Sequence, residues 1–107
     1  MSEFRKEKMI NLIKELVAKF IGEESNKSSW INVTNMDISK DFKRATIFIS
    51  VFPESKERVA LEFFNRKKTD LRNFIKKNLQ TKTIPFFDVQ IDAGEKNRQL
   101  IDRLLKE

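Results

Sequence analysis

Between residues 66 and 82 the chain carries Arg66, Lys67, Lys68, Arg72, Lys76, Lys77 and Lys82 against a single acid, Asp70. This stretch nets +6, the same as the formal net charge of the whole 107-residue chain, so the remainder is close to neutral. Ammonium and guanidinium groups gathered in one stretch of an otherwise balanced protein suit a polyphosphate partner such as nucleic acid. A solvated helix face has the same composition, so charge alone leaves both readings open. The carboxylates nearest to acid–base work are Asp37, Asp41, Asp88 and Asp92. No glycine-rich phosphate loop, metal-ligand cluster or activated nucleophile accompanies them. Asp37 and Asp41 read more simply as hairpin and turn residues, and Asp88 and Asp92 as strand-edge and turn positions. The chain also has no histidine and no cysteine. That removes the usual general base near neutral pH, thiol nucleophiles, zinc–thiolate sites and disulfides. The expectation is a protein that is not an enzyme and needs no cofactor or metal.

The elements that must position the basic stretch follow from apolar spacing. Residues 3–21 place Met9, Ile10, Leu12, Ile13, Leu16, Val17, Phe20 and Ile21 at helical intervals, with most charges opposite. Gly22 is positioned to end this helix in the left-handed conformation, and residues 23–29 form a polar linker. The helix's mixed charges favour packing on a sheet over lying on a membrane surface. From Trp30 to Ile38 the pattern is extended but changes parity. Ile31 and Val33 share one face, then Met36 and Ile38, which predicts a bulge near Asn35. Arg44 to Phe52 alternates Ala45, Ile47, Ile49 and Val51 against Thr46, Phe48, Ser50 and Phe52. The two strands should form an antiparallel hairpin through Ser39 to Lys43, with Phe48 and Phe52 covered by neighbouring side chains.

Pro53 stops the second strand, and Ser55 reads as an N-cap for a helix starting near Lys56. Val59, Ala60, Phe63 and Phe64 form its apolar stripe. Continued at the same spacing, that stripe would include Lys67, yet the pattern resumes with Leu71, Phe74, Ile75 and Leu79. This predicts a break or kink at residues 67–69, with Thr69 capping the restart. Such a break would present Arg66, Lys67 and Lys68 beside a helix start, where backbone N–H groups and the helix dipole favour phosphate. Ile84 to Ile91 reads as a third strand, ended by Asp92-Ala93-Gly94. Leu100, Ile101, Leu104 and Leu105 suggest a short C-terminal helix.

Ten phenylalanines without a tyrosine point to a Phe-rich core, since phenylalanine has no polar group to keep in water. The length suits one domain over residues 1–107. No leader pattern or membrane-length apolar run is present, which makes a cytoplasmic location the default expectation, and with no long apolar heptad or Cys-mediated link a monomer is the default.

The order helix, strand, strand, broken helix, strand predicts an α+β fold of the type II KH kind: a three-stranded sheet packed against helices, with a helix break in place of a Gly-x-x-Gly loop. Ordinary KH modules grip nucleotides with that loop, but Gly22 and Gly94, the only glycines, lie far apart and outside the break. The run Val33-Thr34-Asn35-Met36-Asp37-Ile38-Ser39-Lys40-Asp41-Phe42-Lys43-Arg44-Ala45 resembles the hairpin pattern VTxVxVSxDLxxA of the ribosome-binding factor A family. Further similarity lies in the basic stretch leading into the first helix and in Ala60-Leu61-Glu62, Leu71-Arg72, Ile84-Pro85, Asn97-Arg98 and Ile101 to Leu105, so that it spans residues 4–105. At the kink, where the family usually has Ala-x-Gly, this chain has Lys67-Lys68-Thr69, so that either Thr69 caps the second half and the break persists with added charge, or the helix runs straighter and the RNA-facing geometry differs.

The resemblance implies a non-enzymatic factor that binds the small (30S) ribosomal subunit and its 16S ribosomal RNA near the decoding region during late maturation, and that aids growth in the cold. It implies phosphate contacts from Arg66, Lys67, Lys68, Arg72, Lys76 and Lys77, with Lys40, Lys43 and Arg44 as a second set if the hairpin turn lies nearby. An alternative is a generic KH-like module for single-stranded RNA outside the ribosome. That reading needs aromatic or apolar side chains beside the basic groove, and the sequence does not clearly place any.

Overall fold

The computed structural model describes residues 3–24, 29–79, 83–94, 101 and 103–105. Helix α1 (Glu3–Glu24) is followed by strands β1 (Trp30–Ile38) and β2 (Arg44–Phe52), a single 3-10 turn (Glu54–Lys56), helix α2 (Glu57–Asn78) and strand β3 (Phe86–Ile91). The sheet order is β1-β2-β3. β1 and β2 pair antiparallel, whereas β3 lies parallel to β2. The expected bulge is present: Val33 faces Ile49 and Asn35 faces Phe48, leaving Thr34 as the extra residue. Its hydroxyl shares its one proton between the Asp92 carboxylate and the Phe48 carbonyl, the latter at 3.2 Å.

The bulge puts Met36 and Ile38 on the same face as Ala45, Ile47, Ile49 and Val51, all buried. α1 covers β1 and α2 runs beside β3, and the two helices also touch. Ile13, Val17 and Phe20 from α1 and Ala60, Phe64, Leu71 and Ile75 from α2 complete one apolar core with Ile84 and Phe87. Phe20 and Phe74 meet between the helices with ring centroids 5.6 Å apart. Among the described residues no polar or charged side chain is buried, and no helix is long and apolar enough to cross a membrane. The expected α+β arrangement is the one found.

Four local expectations are corrected. The break at residues 67–69 is not there: α2 is a continuous 22-residue helix through Lys67, Lys68 and Thr69. Lys67 sits at the edge of the apolar stripe with its side chain one-third exposed, and its ammonium lies 3.7 Å from both Glu24 and Asp70. A lysine stem can cover apolar surface while its charge reaches outward, and the i,i+3 pair with Asp70 supports helix, so nothing forces an interruption. Gly22 lies within α1 instead of ending it, and no glycine has positive φ. Ser55 makes no capping bond; it falls inside the 3-10 turn, and Lys56 occupies the position before α2. Phe52 is 76% exposed, paired across the strands with the equally open Trp30 at the far end of the hairpin. Ile101 and residues 103–105 are helical, with Ile101, Leu104 and Leu105 exposed, while Asn97, Arg98 and Leu100 lie outside the described residues.

The hairpin turn is held by its own side chains. The Ser39 hydroxyl donates to Asp41 Oδ1 at 2.7 Å and accepts from the Arg44 N–H at 3.1 Å, while the Lys43 N–H donates to the same Asp41 oxygen at 3.1 Å. These bonds hold Phe42 at φ 60°, in the left-handed region that bulky residues rarely adopt. They also hold the Asp41 carboxyl below its ordinary pKa, through the Ser39 hydroxyl first and the Lys43 amide second. An acid depressed in the folded state contributes stability above its unfolded pKa and loses it as pH falls through the folded value. Ser39→Ala is expected to raise the Asp41 pKa toward the ordinary aspartate value in a carboxyl NMR titration. An unmoved value would mean that the hydroxyl is not the cause.

Candidate nucleic-acid interface

At 100° per residue, Lys68, Arg72 and Lys76 form one row along α2, four residues apart, on the flank that faces β3. The Lys68 ammonium donates to Asp88 Oδ1 at 3.2 Å. Arg72 is fixed more firmly. Its Nη2 donates to the Ile84 carbonyl at 3.0 Å, its Nε to the Pro85 carbonyl at 3.4 Å, and its guanidinium carbon lies 4.4 Å from the centre of the Phe86 ring. Lys76 is exposed and has no ion-pair partner among the described residues.

The parallel pairing of β3 with β2 brings the hairpin turn to this row. Parallel strands begin at the same end of a sheet, so Arg44 and Phe86, the first residues of β2 and β3, are partners. The Phe86 N–H donates to the Lys43 carbonyl at 2.9 Å. Arg44 Nη1 reaches Asp88 Oδ2 at 3.5 Å, so one carboxylate links the turn to the α2 row through its two oxygens. Lys40 and Lys43 belong to the same turn, and both are exposed. The condition set by the sequence, that the turn should lie near the basic helix, is met.

The basic stretch is nevertheless not one patch. Lys67 turns to the α1 side and is held by Glu24. Arg66 and Lys77 are three helical turns apart and share the outer side of α2, away from β3, and both are exposed. Lys82 lies outside the described residues. What converges is Lys68, Arg72 and Lys76 with Lys43 and Arg44, and Lys40 close by in the turn.

Surface ion pairs such as Lys68–Asp88 and Arg44–Asp88, with side chains between two-fifths and three-quarters exposed, contribute roughly 0–1 kcal/mol, so an incoming phosphate competes for these cations at low cost. The edge therefore offers phosphate-binding groups of both geometries, forked guanidinium and compact ammonium. Among the described residues no cluster of three or more acidic side chains could hold a metal ion.

Two participants are not legible from the chain alone. Asp88 reads there as a strand-edge residue, and nothing local marks it as the link between two basic groups. Phe86 is 62% exposed against the basic row. A signal for it exists: Phe86 and Phe87 are consecutive in a strand, so only one of them can face the core.

Residues 5–105 match the family model described as Ribosome-binding factor A. Ribosome-binding factor A of Thermodesulfovibrio yellowstonii is 33% identical over 105 residues, covering 96% of this chain and 89% of the relative. Among solved structures, the crystal structure of ribosome-binding factor A from Thermus thermophilus superposes with a TM-score of 0.73 at 18% identity, over 80% of this chain and 93% of that one. A Thermus thermophilus ribosome binding factor A homology model, fitted into the cryo-EM map of a complex of the 30S particle with that factor, gives a TM-score of 0.67 at 18% identity, over 76% and 88% of the two chains. At that identity the two structures speak for the shared fold, and the relative and the family match speak for descent. With the hairpin, its bulge and the parallel third strand in place, this chain belongs to the ribosome-binding factor A family.

Proposed function

We propose that the chain is a non-catalytic, monomeric assembly factor that binds the small ribosomal subunit and its 16S ribosomal RNA during late maturation in the cytoplasm. The observation that carries this reading is the edge where the Lys68–Arg72–Lys76 row of α2 meets Lys43 and Arg44 of the hairpin turn. Family membership supports it, as does the likeness in fold to a Thermus factor fitted into the map of a 30S complex. Phosphate contacts from this edge would fix orientation, and RNA shape would supply the selectivity.

One observation favours a second reading, a single-stranded RNA module not specific to the ribosome. Phe86 is the exposed aromatic beside the basic groove that such a module requires. Co-sedimentation with purified small subunits, large subunits and 70S ribosomes at low and moderate salt separates the two. Selective pelleting with small subunits that survives moderate salt is the expected result. Equal binding to all particles, lost together as salt rises, would reduce the edge to non-specific polyphosphate attraction.

A further inference from the structure

Phe86 opens β3 with its neighbour Phe87 pointing the other way. Phe87 is 5% exposed in the core and Phe86 is 62% exposed on the opposite face. The ring is nevertheless fixed in place. Its backbone N–H is bonded to the Lys43 carbonyl, Arg44 is its partner across the sheet, and the Arg72 guanidinium lies over it at 4.4 Å. Arg72 is itself anchored by the Ile84 and Pro85 carbonyls. A guanidinium covers one side of a phenyl ring, and the large remaining exposure leaves the other side to solvent. On the same edge lie the other cations of the candidate interface: Arg44, the partner of Phe86 across the sheet, Lys43 beside it in the turn, and Lys76 one helical turn beyond Arg72.

A rigid, apolar, planar surface rimmed by phosphate-binding groups is complementary to one kind of ligand unit, an unpaired nucleotide. Its base has two free faces and its flanking phosphates are within reach of cations. A base inside a duplex has both faces occupied by its neighbours and cannot use the ring. A protein partner would bury the ring but would gain nothing from the surrounding positive charge unless it were itself acidic. We infer that Phe86 is a stacking platform for a single unpaired nucleobase, with Arg72 closing the other side of the ring and Lys43, Arg44 and Lys76 holding the adjoining phosphates. This inference rests on the RNA-binding reading of the same edge and adds what that edge selects: a single-stranded or bulged position, whatever its base, because every base presents a π face.

The test places the only tryptophan at the platform by combining Trp30→Phe with Phe86→Trp, Trp30 being the sole tryptophan of the chain. A short single-stranded RNA, a duplex of the same sequence and inorganic polyphosphate are titrated in turn, with binding followed independently by anisotropy of labelled RNA and by competition. Single-stranded RNA is expected to quench the indole while polyphosphate and duplex do not. In parallel, Phe86→Tyr is expected to keep wild-type affinity for the single strand, and Phe86→Leu to weaken it by roughly tenfold or more. That loss should persist when Phe86→Leu is made in an Arg72→Gln background, with thermal melting confirming that each variant is folded. RNA that binds without quenching, or a Phe86→Leu effect that vanishes in the Arg72→Gln background, would overturn the platform: the ring would then only orient Arg72, and the RNA-binding reading would stand. Failure of the wild-type chain to bind any RNA or small subunit would overturn the platform and that reading together.

Discussion

Changing Arg72 and Lys76 together to glutamine is expected to lower affinity for small ribosomal subunits by roughly thirtyfold near 0.1 M salt and to flatten the salt dependence by about 1.5 in log–log slope. The same loss of two charges at Arg66 and Lys77 is expected to cost less than about threefold, because charges on the far side of the helix act only through a screened field about a Debye length deep. Geometry makes the difference. Arg72 and Lys76 share the flank of α2 that faces β3 and the hairpin turn, whereas Arg66 and Lys77 share the outer side. Each phosphate contact releases a counterion, so a contacting residue appears in the slope, while a distant one leaves the slope nearly unchanged. Pelleting assays over a salt series read both quantities. Equal losses for the two double variants would mean that total charge, not the α2–β3 edge, governs binding.

A loss of about 3–5 kcal/mol in unfolding free energy is expected for Phe64→Ala. Phe64 is 1% exposed at the centre of the buried stripe of α2, and its ring lies 5.3 Å from that of Phe63 in an edge-to-face arrangement. Removing it deletes a large apolar side chain and leaves a cavity that Ile47, Leu71 and Ile75 cannot fill, because each is itself buried and packed. A domain of this size has about 5–15 kcal/mol of total stability, so the variant sits near the threshold of folding. In thermal denaturation the midpoint should fall by about 15 °C or more. Urea denaturation should show the same loss through a lower midpoint at an unchanged slope. A drop of under about 1 kcal/mol would place Phe64 outside the main core.

Elements whose evidence is local are legible in the chain itself. Period-3.6 spacing marks both helices, and strict alternation marks β2. The parity change between Val33 and Met36 locates the bulge to within one residue, because a shift of apolar face inside one strand has few other causes. The hairpin run from Val33 to Ala45 also carries the family resemblance, since its turn chemistry and its inward-facing positions are both written in consecutive residues.

Contacts between residues far apart in the chain settle the rest. Lys67 interrupts the apolar stripe as the sequence shows it, yet in the fold its stem lies at the stripe's edge while its ammonium meets Asp70 three residues on and Glu24 more than forty positions earlier. The direction of β3 is likewise invisible in its six residues. Yet parallel pairing is what sets Phe86 opposite Arg44 and lets Asp88 hold both Arg44 and Lys68. The basic run between residues 66 and 82 is continuous in sequence, but a helix turns by about 100° from one side chain to the next, so its charges part company and only the β3 flank meets the hairpin turn. Composition could give the amount of charge; where that charge faces is fixed by the packing of α2 against β3.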